Sequence, residues 1–463
     1  MKQTLLFITA ISLASLNVAL AQSGHVMNGV GPIDQGMSGA GMAAPQDALT
    51  ALHWNPASLF AVSGRSLDIG LQIMKPTGSV RSTVDVGAFG QLPNFLDPTG
   101  PPMVPYPWAS LDGTTDSDPG VFPIPSIGFV QSSEDSRFAF GFSAFGVGGF
   151  GVDYAGSPMP LGSLPDNAIL SPQRGELGMG FGALASEFML LQASPTIAYK
   201  INDRVSVGIA PTFNLAALDL SVFPATAPTF VNTPLGPQPM YPDAPRAWAT
   251  GIGFQAGVQA NTAAGLQVGL SFKSPQKFGE FEYSPELTGA PDYSFQMDYP
   301  MIISGAVAYT GVEGLLLAGD VRYIDFENTE GFSETGFDQM GAVRGFGWSS
   351  ITVVAVGAQY EVAEDLPVRV GYSYNPSPID ESTAFFNSPA PAIVSHHVSG
   401  GFSYMIREGL QFSLAAQFGL ENDVTGNWMT IDPGTGATVG IPGTTITNTL
   451  STLTVIGGVH LSL

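Results

Sequence analysis

The sequence predicts an all-β fold: a fourteen-stranded antiparallel transmembrane β-barrel plugged by a small N-terminal helical hatch. Three observations predict it. The chain is apolar for its size, with a mean hydropathy of +0.21 and only 11% charged residues, yet after residue 21 it has no apolar run of the ~18 residues that a spanning helix needs. Its apolar residues instead alternate with period two, the pattern of strands with one face toward lipid and the other toward a lumen. The connections between these segments also alternate long and short along the chain.

Residues 1–21 read as a secretory signal peptide. Lys2 supplies the positive start, Leu5 to Leu16 the apolar core, and Ala19-Leu20-Ala21 the small-residue cleavage site. Residues 22–57 form the predicted hatch and 58–463 the barrel. Within the hatch, "ALTALHWNPASLF" (48–60) begins as a helix and is cut at Asn55-Pro56, because the residue before proline is pushed out of the α region. Asp47, Asn55, Pro56 and Ala57 are the candidate hatch and gate residues. Small residues at Gly39, Ala40, Gly41, Ala43 and Ala44 suit close packing inside a barrel that is too wide to be filled by its own wall.

The alternation then repeats. In 366–375, Val368, Val370, Tyr372 and Tyr374 oppose Arg369, Gly371, Ser373 and Asn375; in 409–421, Leu410, Phe412, Leu414 and Phe418 oppose Gln411, Ser413 and Gln417. Comparable segments fall at 65–74, 124–132, 137–151, 187–201, 205–221, 246–261, 266–281, 297–310, 315–326, 348–362, 394–406 and 451–463. Fourteen is an even number, as bacterial single-chain barrels have. Long connections at 75–123, 152–186, 222–245, 282–296, 327–347, 376–393 and 422–450 alternate with short ones, so the long loops are predicted to be extracellular and both termini periplasmic. A net charge of −23 with 15 Lys+Arg argues against nucleic-acid binding, which needs clustered cations. No cysteine is present, so stability must come from backbone pairing.

Motifs that resemble catalytic signatures fail on context. GVGGFG (146–151) matches G-x-G-x-x-G, but no helix follows to hold a pyrophosphate. Glycine inside a strand instead marks a bulge or a close approach, so Gly146, Gly148, Gly149 and Gly151 are candidates for a deliberate deformation of the third strand, beside Phe145. Ser395-His396-His397 lacks an assignable acid, and adjacent strand residues point to opposite faces. Asp112, Asp116 and Asp118 do not have calcium-loop spacing. No enzyme activity, cofactor or metal is expected. The long loops carry Phe223, Phe230, Met240, Tyr241, Phe281 and Tyr283, and exposed apolar clusters of this kind mark binding. The lumenal face holds few charges, Lys273, Arg322 and Arg369 among them.

The segment "GVGPIDQGMSGAGMAAPQDALTALHWNPASL" resembles the N-terminal hatch of the FadL/TodX outer-membrane transporters of long-chain fatty acids and hydrocarbons. "GLSFKSP" (269–275), "GDVRYIDF" (319–326), "VRVGYSYNPSPID" (368–380) and "HHVSGGFSY" (396–404) resemble the family's later strands in order. The chain departs from that pattern at Ser38 and at its last residue, Leu463. The resemblance implies passive uptake of hydrophobic compounds: capture by outer loops, an internal apolar pocket, and sideways release beside a kinked third strand. It further implies outer-membrane lipid and lipopolysaccharide as surroundings, and the chain is expected to act as a monomer. Lys273 and Arg322 are the candidate partners of a substrate carboxylate, because a desolvated anion needs a counter-charge. The competing reading is a non-transport barrel, an adhesin or structural protein whose loops bind a ligand.

Overall fold

The computed structural model describes residues 22–94, 99–133, 135–160, 162–173, 178–222, 224–233, 236–284 and 291–463; the leader and Phe223 lie outside them. Fourteen antiparallel strands close into a barrel. Strands β1 (Arg65–Val84), β2 (Phe122–Gln131), β3 (Phe138–Tyr154), β4 (Leu184–Asn202) and β5 (Val205–Ser221) make the first part of the wall. It continues with β6 (Ala244–Asn261), β7 (Leu266–Lys273), β8 (Met301–Val312), β9 (Leu315–Asp325) and β10 (Ile351–Ala363). The last four are β11 (Leu366–Tyr374), β12 (His396–Arg407), β13 (Leu410–Gly426) and β14 (Thr444–Ser462). Each strand pairs with the next, and β14 returns to β1 from Ser66↔Ser462 to Val84↔Thr444, which removes the free edges a bilayer would not tolerate.

Period-two alternation sets which side chains meet lipid. On β1, Ile69, Leu71 and Ile73 face outward while Asp68, Gln72 and Ser82 are buried within. Short turns at Glu313-Gly314 and Glu408-Gly409 put the glycine at positive φ (72° and 75°), the geometry that tight hairpins require. The structure departs from the sequence reading at strand ends. β1 runs to Val84 rather than residue 74, because its outward residues change from Leu71 and Ile73 to Lys75, Thr77, Ser79 and Arg81; beyond the apolar band the wall continues with no hydrophobic alternation to reveal it. The seventh strand stops at Lys273 rather than 281, since Pro275 has no N–H for the ladder, and Lys277–Phe278 pairs separately with Gly251–Ile252.

The N-terminal segment fills the lumen. A small hairpin pairs Gln22–Ser23 with Val26–Met27, followed by α1 (Gly31–Gly36) and α2 (Ala48–Trp54), every residue of both helices buried. Pro32 sits in the first turn of α1, where a missing N–H costs nothing. Asp47 caps α2 by accepting from Thr50 N at 2.9 Å. Asn55 ends it and starts a 3-10 turn over Pro56–Ala61, its Oδ1 accepting from Ala57 N at 3.0 Å; the chain enters β1 at Arg65. Where the hatch backbone lies against the wall backbone at Pro56 and Met37, the wall residue is glycine: a Cβ on Gly208 would collide with the Pro56 carbonyl, and one on Gly371 with the Met37 carbonyl carbon.

Candidate functional site: a gap in the wall and the cavity behind it

Hydrogen-bonding direction alternates along a strand, so each residue of β2 serves one neighbour only. Ser132 N–H donates to Gly64 O at 2.8 Å on the β1 side, so even-numbered residues of β2 face β1 and odd-numbered ones face β3. Pro123 and Pro125 are odd. The outer half of β2 therefore has no N–H to offer β3 at either position, and the β2–β3 ladder ends at Ser126↔Phe145, although β1 and β2 stay paired out to Met74↔Phe122.

β3 answers with a bulge. Its pairing with β4 steps from Gly146↔Leu191 to Gly148↔Leu190, leaving Val147 as the extra residue, which reverses which residues face the gap. Gly149, Gly151 and Asp153 now form the free edge. The hatch hairpin supplies what β2 cannot: Gly149 N–H donates to His25 O at 3.1 Å, and Val26 pairs with Gly148. A Cβ on Gly148 would lie 2.7 Å from that carbonyl oxygen, so the approach requires glycine. At the outer end the wall closes again through Ser117↔Tyr154 and Asp118 N–H to Asp153 O at 2.9 Å.

Behind the gap lies a cavity of about 400 Å³. Met74, Phe122, Ile124, Phe188, Leu190 and Val394 supply much of its apolar lining; Gly146, Gly148, Gly149 and Gly151 form its β3 side, and Gln22 and Gly24 its hatch side. Glu187 is the only ionisable side chain among the lining residues described, and it is paired with Arg246 at 2.6 Å. On the lipid face a second hollow of about 560 Å³, lined by Ile69, Ile127 and Phe213 among others, shares Pro125 and Leu191 with the cavity. The hairpin is held by His25, whose ring stacks on Phe332 (4.9 Å, 4°) and meets the edges of Tyr299 and Phe188. Burial pushes its pKa down to about 3, so the imidazole is neutral.

The rest of the hatch is bolted to the wall. Asn55 Nδ2 donates to Val258 O at 3.1 Å, Gln255 Nε2 to Trp54 O at 2.7 Å, and Ser206 Oγ to Ala57 O at 2.8 Å. Asp68 of β1 accepts from Ala48 N at 2.9 Å and pairs with His460 at 2.8 Å. Trp54 Nε1 donates to Asp34 Oδ2 at 2.8 Å, and burial pushes the Asp34 pKa up to about 8, with the neighbouring Arg322 opposing.

The remaining candidates are scattered. Arg322 pairs with Asp320 of its own strand at 2.7 Å, and toward the hatch it donates to Gly39 O and stacks over the Trp54 ring at 3.8 Å. Lys273 donates to Gln192 Oε1 at 3.3 Å. Neither lines the cavity. Phe281 and Tyr283 are buried under the loops, with Tyr283 stacked on Tyr293 at 5.4 Å. Tyr241 O–H donates to Gly341 O at 2.7 Å; Met240 ends a loop strand beside it, half-buried, and Phe230 is exposed on the partner strand of that loop hairpin. Phe145 closes the β2–β3 ladder, its ring edge-on to His53 at 5.4 Å. Sequence reasoning missed Pro123, Pro125, Phe188 and Gln22. The signal for the prolines was present, since Pro-x-Pro inside an alternating run marks a strand edge that cannot pair.

The sequence profile of the outer membrane protein transport protein (OMPP1/FadL/TodX) family matches residues 178–435. The chain belongs to this family. Among curated proteins nothing matches. Among solved structures, the barrel is similar to the toluene transporter TodX of Pseudomonas putida (TM-score 0.63, 17% identity, 94% of this chain and 99% of that one). It is also similar to the toluene transporter TbuX of Ralstonia pickettii (0.62, 17%, 94% and 99%) and to a FadL homologue of Pseudomonas aeruginosa (0.66, 14%, 95% and 100%). At these identities the likeness is one of fold. As a member of the OMPP1/FadL/TodX family, the chain is an outer-membrane β-barrel for passive transport of hydrophobic molecules.

Proposed function

We propose that neutral hydrocarbons, of the class named for TodX and TbuX, reach the cavity from the outer loops and leave sideways through the β2–β3 gap into the membrane. The carrying observation is the unpaired stretch of wall, where an apolar cavity and a lipid-facing hollow share Pro125 and Leu191 as lining residues. Its volume lies in the ~300–1,000 Å³ range of small-molecule sites, and burial at ~25 cal/mol per Å² of apolar area favours entry of an apolar solute that water would exclude. The lining favours an uncharged substrate over a fatty acid, because Lys273 and Arg322 stand elsewhere. Residues Asp47 to Ala57 serve as the fixed side of the hatch and the 22–27 hairpin as its yielding side. In this reading the long loops lie among lipopolysaccharide and each barrel works as a monomer.

The test uses the absence of native cysteine. Phe122→Cys with Gly151→Cys places one thiol on each side of the gap, to be bridged by a short thiol-reactive linker that reductant cleaves. Proteoliposomes carrying the bridged protein should take up toluene slowly, and reductant should restore the rate. Unchanged uptake when bridged would rule out the lateral route.

A further inference from the structure

We propose that the mature amino terminus is Gln22 closed into a neutral pyrrolidone ring, and that this ring forms part of the cavity wall. The inference rests on the reading above that the cavity holds substrate, and on cleavage after Ala21. Cleavage there makes Gln22 the first residue, and Gln22 lines the cavity. Its carboxamide is poorly held: among the described residues, Nε2 reaches the thioether sulfurs of Met27 at 3.5 Å and Met74 at 3.6 Å, both weak acceptors. A new α-amine would thus stand on the hatch side of this apolar cavity, with the His397 ring facing the Gln22 backbone and the single lining carboxylate, Glu187, already engaged by Arg246.

A free α-amine titrates near ~8 in water, and apolar surroundings disfavour its ammonium form. The neutral amine is the nucleophile for the side chain of the same residue. Its nitrogen attacks Cδ of Gln22, the N–Cδ bond forms, the Cδ–Nε2 bond breaks, and ammonia leaves; nothing is oxidised or reduced. The product removes both the cation and the loosely held carboxamide donor. A cavity finished in this way offers no positive charge to a carboxylate, which makes the terminus itself a determinant of selectivity for uncharged substrates. The same segment without glutamine at this position would leave a titratable amine facing the substrate, which an entering carboxylate would draw into its ammonium form.

The test begins with protein extracted from the outer membrane in detergent. Mass spectrometry of its N-terminal peptide should show a chain beginning at residue 22, lighter by one ammonia and unreactive toward amine reagents. A free amine on Gln22, or a different first residue, would overturn the proposal. Gln22→Ala retains a free amine. In calorimetry with assembled, heat-modifiable protein, this variant should bind toluene several-fold more weakly than the wild type and should acquire binding of decanoate. Identical ligand profiles for the two proteins would remove the terminus from the cavity's selectivity. Wild-type proteoliposomes that take up no toluene would sink the transport reading while leaving the mass result to stand on its own.

Discussion

Two seams in this barrel each carry a pair of prolines turned into the seam, and only one of them parts. The first is β2–β3, where Pro123 and Pro125 face β3 and the ladder ends. The second is β4–β5. Lys200 N–H bonds to Arg137 O on the β3 side and Arg204 O receives Asn261 N–H on the β6 side, so the odd residues of β4 and β5 face each other. Pro195 and Pro211 are directly opposed there, and pairing skips from Ile209↔Ile197 to Phe213↔Ala193. Yet it resumes in the same register, and β4 and β5 stay together on both sides. Losing donors is therefore not enough to part a wall. The β2–β3 seam adds a bulge at Val147 that shifts β3 out of register, and a hatch hairpin that takes up the freed N–H of Gly149. Without a substitute partner, an unpaired backbone group in the hydrocarbon layer costs several kcal/mol.

The largest expected effect comes from removing the substitute partner with the plug. Deleting residues 22–50 takes away the hairpin, α1 and the first three residues of α2, and with them the bonds to Asp68 and Gly149. Planar-bilayer recordings should show a large, non-selective conductance where the intact protein shows little. A deletion mutant that stays sealed would mean the wall and loops close the lumen unaided. Next is Gly148→Val with Gly149→Val. These side chains would meet His25 O of the hairpin and Phe188 O of β4, each at 2.7 Å, forcing β3 away from both. Toluene uptake should fall about tenfold, the effect of ~1.4 kcal/mol on a barrier, in protein that still shows heat-modifiable migration. Full uptake would show that the β3 edge does not need the hatch.

The same contrast explains how much could be read from the sequence. The fourteen strands were legible wherever one face meets lipid, because Ile69, Leu71 and Ile73 must alternate with Asp68, Gly70 and Gln72. They were illegible above the membrane, where Thr77, Ser79 and Arg81 alternate with nothing apolar required outside. α2 was legible in its apolar spacing and in the Asn55-Pro56 break that ends it, while the Asp47 cap that starts it shows only in the structure. The glycines of β3 stand out in one strand's sequence, but the gap belongs to two strands, and Pro123 precedes the visible alternation, which begins at Ile124. Lys273 and Arg322 looked like substrate partners because a lone strand sequence shows an inward cation but not what it meets. Arg322 meets Asp320, Gly39 and Trp54.

Restoring donors to the first seam should have an intermediate effect. Pro123→Val with Pro125→Val returns two N–H groups pointing at β3, each worth ~0.5–1.5 kcal/mol once bonded. They compete against the Val147 bulge and the hairpin, so re-pairing should be partial. Uptake should fall several-fold, less than for the glycine pair, and amide exchange at Gly149 and Gly151 should slow. Wild-type uptake with unchanged exchange would show that the bulge alone holds the gap.

The smallest effect on transport, and the sharpest test of the comparison, lies at the second seam. Pro195→Val with Pro211→Val gives two opposed residues that exchange two hydrogen bonds across an otherwise continuous ladder. Both prolines face lipid and are exposed there, so valine at either position meets no hatch atom, and its β-branched side chain suits a strand. The gain should be ~1–3 kcal/mol in total, seen as a higher urea or thermal midpoint in detergent, while toluene uptake stays at the wild-type rate. Registered pairing on either side already holds β4 against β5, so adding bonds changes stability and not the route. If this pair slows uptake as much as the Pro123/Pro125 pair does, the β4–β5 seam also parts during transport, and the bulge with its hatch partner is no longer what distinguishes the two.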